Sequence, residues 1–222
     1  MKTSVINGLI LSTLTLSPLA LALAKQAGDF VVRGGATMVD PASNKANVFL
    51  DGADSGLDVS ADGDTQLGVN FVYFYDKNWA IELLASTPFS HDIKLHADGA
   101  TTTLGKISHL PPTLSALYYF DTHSAFKPYV GAGINYTIFF DEKFSSTYKE
   151  AGFSDLDLDG SFGLSVQLGT DYQLDKNWSL NASARYIDIN TDTSFKVGGS
   201  VNGSAEVEID PMVYSLMLAY KF

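Results

Sequence analysis

Val213-Tyr214-Ser215-Leu216-Met217-Leu218-Ala219-Tyr220-Lys221-Phe222 closes a chain of 222 residues. Tyr214, Leu216, Leu218, Tyr220 and Phe222 are large and apolar, and Val213, Ser215, Met217, Ala219 and Lys221 stand between them. Successive side chains of a strand point to opposite faces, so a period of two describes one strand with two environments. The period recurs. Leu67, Val69, Phe71, Tyr73 and Tyr75 alternate with Gln66, Gly68, Asn70, Val72 and Phe74, and Val130, Ala132, Ile134, Tyr136 and Ile138 with Gly131, Gly133, Asn135, Thr137 and Phe139. Phe162, Leu164, Val166 and Leu168 oppose Gly163, Ser165, Gln167 and Gly169; Trp178, Leu180, Ala182, Ala184 and Tyr186 oppose Ser179, Asn181, Ser183 and Arg185. A greasy face against a small or polar one is the out/in pattern of a membrane barrel.

Composition narrows the choice. A net charge of −11 and no basic face argue against nucleic acid as a partner. The absence of cysteine removes disulfide frameworks, thiolate metal sites and cysteine nucleophiles. Lys2, the apolar or hydroxylic run Val5 to Leu23, and Ala22-Leu23-Ala24 read as a secretory signal cleaved after Ala24. The competing reading is a membrane anchor, which Pro18 interrupts and no stop-transfer charges follow. Residues 25–222 then form a single barrel domain. After Ala24 no stretch approaches the ~18–20 apolar residues of a spanning helix, so any membrane crossing must use strands.

The connections give the strand number. Asp76-Lys77-Asn78-Trp79 and Asp175-Lys176-Asn177-Trp178 are matching short turns, and Asp121 to Phe126 is a third. Longer polar stretches, 40–64, 90–109, 142–158 and 192–206, read as loops. Three short turns and four long loops join eight antiparallel strands, with short turns and both termini periplasmic and long loops outside. Trp79, Trp178, Tyr75, Tyr118, Phe120, Tyr172, Tyr220 and Phe222 gather at the expected periplasmic rim as an aromatic girdle. The carboxy-terminal Phe222 resembles the signal by which bacterial outer-membrane barrels present their last strand to the assembly machinery.

Longer runs resemble the outer membrane protein W family. They are Ala27-Gly28-Asp29 with Val32-Arg33-Gly34; Ala80-Ile81-Glu82-Leu83-Leu84-Ala85 with Thr87-Pro88-Phe89; His109-Leu110-Pro111-Pro112-Thr113-Leu114; and Lys127-Pro128-Tyr129-Val130-Gly131-Ala132-Gly133-Ile134-Asn135-Tyr136-Thr137. Glu150-Ala151-Gly152, Ser154-Asp155-Leu156, Arg185-Tyr186-Ile187-Asp188-Ile189, Asp210-Pro211 and Tyr220-Lys221-Phe222 extend the likeness over nearly the whole mature chain. It implies an eight-stranded outer-membrane barrel concerned with the passage of small hydrophobic molecules. Phe162 and Met212 stand where relatives often carry Trp and an aromatic, which bears on ligand size.

Eight staves enclose a lumen just wide enough to be filled by side chains. Arg33, Glu82, Asp171, Arg185 and Lys221, with Asn70, Asn135, Gln167 and Asn181, are expected inside as a paired, polar plug. Above it Val39, Leu50, Leu84, Phe139, Leu156, Leu158, Phe162 and Met217 are expected to line an apolar tunnel open to the outside. Pro88, Pro111 and Pro112 cannot donate ladder hydrogen bonds, so they mark either a lateral opening into the membrane or simple strand ends.

Other chemistry finds less support. Asp155-x-Asp157-x-Asp159-Gly160 copies half of a calcium loop but has Val166 at the twelfth position, and no metal or other cofactor is expected. His91, His96, His109 and His123 are the only imidazoles, and an enzyme would have to use loop 2 with Ser90 or Ser108; no enzyme is expected. The reading is a monomeric carrier of small apolar solutes, in contact with outer-membrane lipid and lipopolysaccharide. A structural or receptor barrel without transport is the alternative.

Overall fold

The computed structural model describes residues 25–42, 45–97 and 99–222. The expected signal, 1–24, lies outside the described residues. In chain order the first strands are β1 (Phe30–Asp40), β2 (Ala46–Leu50), β3 (Ala53–Ala61), β4 (Asp64–Phe74), β5 (Trp79–Ser86), β6 (Phe89–Ala97), β7 (Ala100–Leu110) and β8 (Thr113–Tyr119). There follow β9 (Phe126–Phe144), the one-turn helix α1 (Ser146–Glu150), β10 (Phe153–Leu158), β11 (Ser161–Gln173), β12 (Trp178–Ile187), β13 (Asn190–Val197), β14 (Val201–Glu208) and β15 (Met212–Lys221).

Eight of these close a barrel in the order β1-β4-β5-β8-β9-β11-β12-β15, every neighbouring pair antiparallel. The last strand meets the first from Val31↔Lys221 to Asp40↔Met212, and the Phe222 N–H donates to the Phe30 carbonyl at 2.9 Å. Alternation decides the facing: Leu67, Leu164, Leu168 and Leu216 are each about three-fifths exposed on the outside, while Asn70, Ser165, Gln167 and Asn181 are buried inside. Such an outer face is stable only against lipid. Inside, Tyr129 lies over Gly169, where an added Cβ would come within 2.5 Å of its ring; the missing side chain makes room for the tyrosine in a narrow lumen.

The short turns follow from their sequence. Asp76 Oδ1 accepts the N–H of Asn78 and of Trp79 at 2.7 Å each, and Asp175 Oδ1 accepts from Asn177 and Trp178 at 2.8 Å each. These two N–H donors hold the Asp175 carboxyl below its usual range. The aspartate thus mimics a backbone turn and aims each Trp onto a tyrosine: Trp79–Tyr118 at 5.0 Å and Trp178–Tyr220 at 4.8 Å, the latter extended by Tyr220–Phe222 at 4.9 Å.

The long polar stretches are not loops. β2, β3, β6, β7, the upper half of β9, β10, β13 and β14 form a second sheet, ordered β10-β13-β14-β2-β3-β6-β7-β9, that raises the wall above the membrane. Its outer face carries the polar residues that resemble loop sequence, and its inner face carries Val48, Leu95, Leu104, Phe144 and Phe195. The two edges, β10 and β9, meet without a ladder and are closed by Phe144 against Phe153 at 5.4 Å.

Between barrel and extension the ladder breaks almost all round. The chain crosses this level eight times, and among the described residues seven crossings are interrupted, at 41–42 and 45, 62–63, 87–88, 111–112, 159–160, 188–189 and 209–211, while β9 runs through. Pro41, Pro88, Pro111, Pro112 and Pro211 lie in these breaks, as expected of residues lacking an N–H. Most seams are still bridged here: Thr87 N–H donates to Leu67, Tyr136 to Pro112, Ile187 to Pro211 and Ala42 to Ile209. The seam between β5 and β8 differs. Its ladder stops at Leu84↔Thr113 and pairing resumes in the hairpin above at Phe89↔His109; among the described residues no backbone hydrogen bond joins 85–88 to 110–112.

Candidate functional site

The interior has three levels. Lowest is a closed polar plug. Arg33 Nη1 donates to Glu82 Oε2 at 2.6 Å, and its Nη2 to Tyr119 and, at 3.1 Å, to Asp171. Arg185 donates to the other Glu82 oxygen, Gln167 Nε2 donates to that oxygen at 2.9 Å, and Asn70 Nδ2 donates to Oε2 at 3.0 Å. Asn181 Nδ2 joins Asp171 Oδ1 at 2.8 Å, and the Arg33 guanidinium stands 5.3 Å from the Tyr129 ring centre. Arg33, Glu82 and Asp171 are 0–1% exposed, and each of these buried ions faces an opposite charge and further hydrogen bonds, although Nε of Arg33 and of Arg185 is left without an acceptor.

Above the plug, at the level of the ladder breaks, Val39, Phe89, Ile107, Phe139, Ile187, Ile189, Ile209 and Val213 pack together. A histidine pair is set among them. His91 Nε2 and His109 Nε2 are 2.8 Å apart, and His109 stacks on Phe89 at 5.6 Å and leans on Phe139 at 5.8 Å. The ring centres are 4.8 Å apart, so the nitrogens point nearly at one another; this is an N–H···N bond and leaves no place for a metal between them.

Highest is an apolar chamber inside the extension, bounded by Leu50, Leu95, Phe144, Phe153, Phe195 and Val207, with Ile93, Ile107, Leu156, Leu158 and Ile209 shared with the level below. Its walls offer almost no polar surface.

The histidine pair gives the extension an acid-sensitive part. Burial, and then the neighbouring His91, pull His109 from an ordinary 6.5 to about 3. Above pH 6.5 the ring is neutral in folded and unfolded chain alike and pH has no effect through it. As pH falls below 6.5 the unfolded chain binds a proton that the folded ring refuses, so stability declines down to about pH 3 and no further. The urea midpoint of the parent should drop between pH 7 and pH 4.5 by more than that of His109→Phe.

Comparison with known proteins adds the lineage. A profile of the OmpW family matches residues 26–222. The chain belongs to that family. It is 40% identical to outer membrane protein W of Vibrio cholerae over 225 residues, all of both chains. The crystal structure of the outer membrane protein OprG from Pseudomonas aeruginosa superposes with a TM-score of 0.85 at 41% identity, covering 90% of this chain and 98% of that one. A more distant relative, 24% identical over 80% of this chain and 81% of its own, is the dibenzothiophene metabolism operon protein PahQ of Pseudomonas aeruginosa. As an OmpW-family barrel the protein resides in the cell outer membrane.

On this OmpW-family scaffold the predicted residues divide. Arg33, Glu82, Asp171 and Arg185 meet in the plug. Lys221 does not: its Nζ pairs with Asp29 at 3.2 Å at the periplasmic mouth, because the last stave residue sits too low, and Lys25 takes the place expected of it, 3.3 Å from Asp171. Leu50, Leu156 and Leu158 border the chamber, and Val39 and Phe139 lie in the cluster beneath. Leu84 and Met217 are buried in the barrel and line no part of the chamber. Phe162 is 68% exposed; it shares the parity of Leu164 and faces lipid, so it is not a tunnel residue. Pro88, Pro111 and Pro112 flank the unbridged seam. Asp157 and Asp159 line an outer acidic recess with Asp192 and Glu206, and among the described residues no three acidic or imidazole groups are placed to hold a metal. Ser90 and Ser108 face each other at 3.4 Å and reach no imidazole.

Tyr119, Tyr129, Lys25 and the His91–His109 contact are the functional groups that sequence reading misses. The two tyrosines were within reach, since Tyr119 has the inward parity of Ser115 and Tyr129 that of Gly131. The histidine contact needs the β6–β7 register, which no local signal specifies.

Proposed function

We propose that the protein carries small hydrophobic molecules through the outer leaflet of the outer membrane. An apolar solute enters the chamber from outside, is stopped by the plug, and leaves sideways between β5 and β8 into the bilayer. The observation that carries this reading is the stacking of three features: an apolar chamber, a buried ion-paired plug beneath it, and between the two an unbridged seam bounded by Pro88, Pro111 and Pro112. A solute that descended further would have to strip the plug of charged partners, whereas the seam opens onto lipid. The name of PahQ, which places that relative in an operon for an apolar sulfur heterocycle, supports the same substrate class. Lipopolysaccharide around the extension, and the assembly machinery reading the Phe222 strand, are the partners this reading carries. No reaction is assigned.

The test uses cells whose lipopolysaccharide leaflet is the barrier. Expression should raise the initial uptake rate of naphthalene several-fold and leave sucrose unchanged. Equal acceleration of both, or of neither, would refute a blocked carrier.

A further inference from the structure

The histidine pair has a determined proton arrangement. His91 Nδ1 lies 2.5 Å from the carbonyl oxygen of Asp62, which can only accept, so that nitrogen carries a hydrogen. In the neutral ring Nε2 of His91 is then a bare acceptor, and the 2.8 Å contact requires His109 Nε2 to be the donor. His109 Nδ1 is left as a bare lone pair. It is fully buried, and among the described residues no donor reaches it. The ring itself is 2% exposed, held between Phe89 and Phe139. A buried acceptor left without a donor weakens a fold, and its persistence asks for a reason.

Position supplies one. His109 is two residues beyond Ile107 on the same inward face, and Ile107 belongs to both the chamber wall and the cluster below. Its partner in the ladder is Phe89, the first pair above the unbridged stretch 85–88 against 110–112. A solute passing from chamber to seam therefore passes this ring. We propose that the Nδ1 lone pair of His109 accepts the O–H or N–H hydrogen of an apolar ligand on its way out, so that the protein favours hydrophobic molecules carrying one hydrogen-bond donor, such as phenols, over hydrocarbons and ethers of the same shape. This rests on the carrier reading above and refines its substrate class. The ring lies against Phe89 and Phe139 within an apolar cluster, so it offers one acceptor to a single donor and gives no foothold to sugars or other polyols. In an apolar setting one neutral hydrogen bond gives a preference of roughly three- to tenfold.

The experiment compares initial uptake of 2-naphthol, naphthalene and 2-methoxynaphthalene by cells expressing the full chain, each acceleration taken as the increment over cells lacking it divided by the rate of those cells. The parent should accelerate 2-naphthol roughly three- to tenfold more than either of the others. His109→Phe, which keeps a flat ring and removes the acceptor, should bring the three accelerations together while naphthalene still enters. His109→Gln, which restores an acceptor, should recover part of the preference. Because the readout is a ratio between solutes, a lower amount of folded variant does not change it. Naphthalene uptake with no preference for 2-naphthol, or a preference that survives in His109→Phe, would overturn the inference and leave the carrier intact. If none of the three solutes enters faster than without the protein, the carrier reading falls and the inference with it.

Discussion

Glu82→Ala is expected to be the most damaging single substitution in the barrel. Its carboxylate receives four donors, from Arg33, Arg185, Asn70 and Gln167, and removing it strands two guanidinium groups that are 0% and 4% exposed. Truncating one member of a buried ion pair costs roughly 3–5 kcal/mol, because the remaining charge stays out of water without a partner. Arg33 keeps Asp171 and Tyr119, but Arg185 keeps only Gln167. Glu82→Gln preserves the shape and one acceptor oxygen, so it should fall between Ala and the parent. Urea titrations of the refolded protein in lipid vesicles, followed by tryptophan fluorescence, will rank the three. Equal midpoints would mean that water, and not the arginines, satisfies Glu82.

Leu158→Asp is expected to reduce naphthalene uptake by about tenfold or more. Leu158 borders the apolar chamber and is only partly buried, so a carboxylate there can stay hydrated and the fold can tolerate it. A hydrated charge nonetheless fills the chamber with water that an apolar solute must displace, and a barrier of about 1.4 kcal/mol already makes a tenfold difference. Phe162→Asp is the matched control. It lies four residues on but faces lipid at 68% exposure, so it should lower stability modestly and leave uptake per folded molecule unchanged. Equal losses in the two variants would show that stability, and not the chamber, governs the rate.

The contrast between these two residues also marks what the chain discloses before its structure is known. Period-two alternation decides facing, so the eight staves, the inward Arg33, Glu82, Asp171 and Arg185, and the outward belt can all be read directly. Family position places Phe162 in the tunnel against its own parity, and in the structure the side chain follows the parity. Height along the barrel is harder to read, because it depends on strand tilt and register; Lys221 has the inward parity yet ends at the mouth beside Asp29. The extension is harder still to read. In stretches such as Asp192-Thr193-Ser194-Phe195-Lys196 the outer face is wet and the inner face is partly threonine, so alternation between two polar classes looks like a loop. Contacts between residues far apart in sequence, His91 with His109 above all, follow only from register.

Since β9 alone passes unbroken from barrel to extension, the molecule amounts to two hoops fixed to a common spoke. Distortion of the upper hoop, by heat, by acid or by an arriving guest, has one rigid path downward and seven slack ones. The lower hoop can therefore stay sealed against ions while the upper one yields, a division of labour useful to a cell that must admit oily molecules without leaking salt.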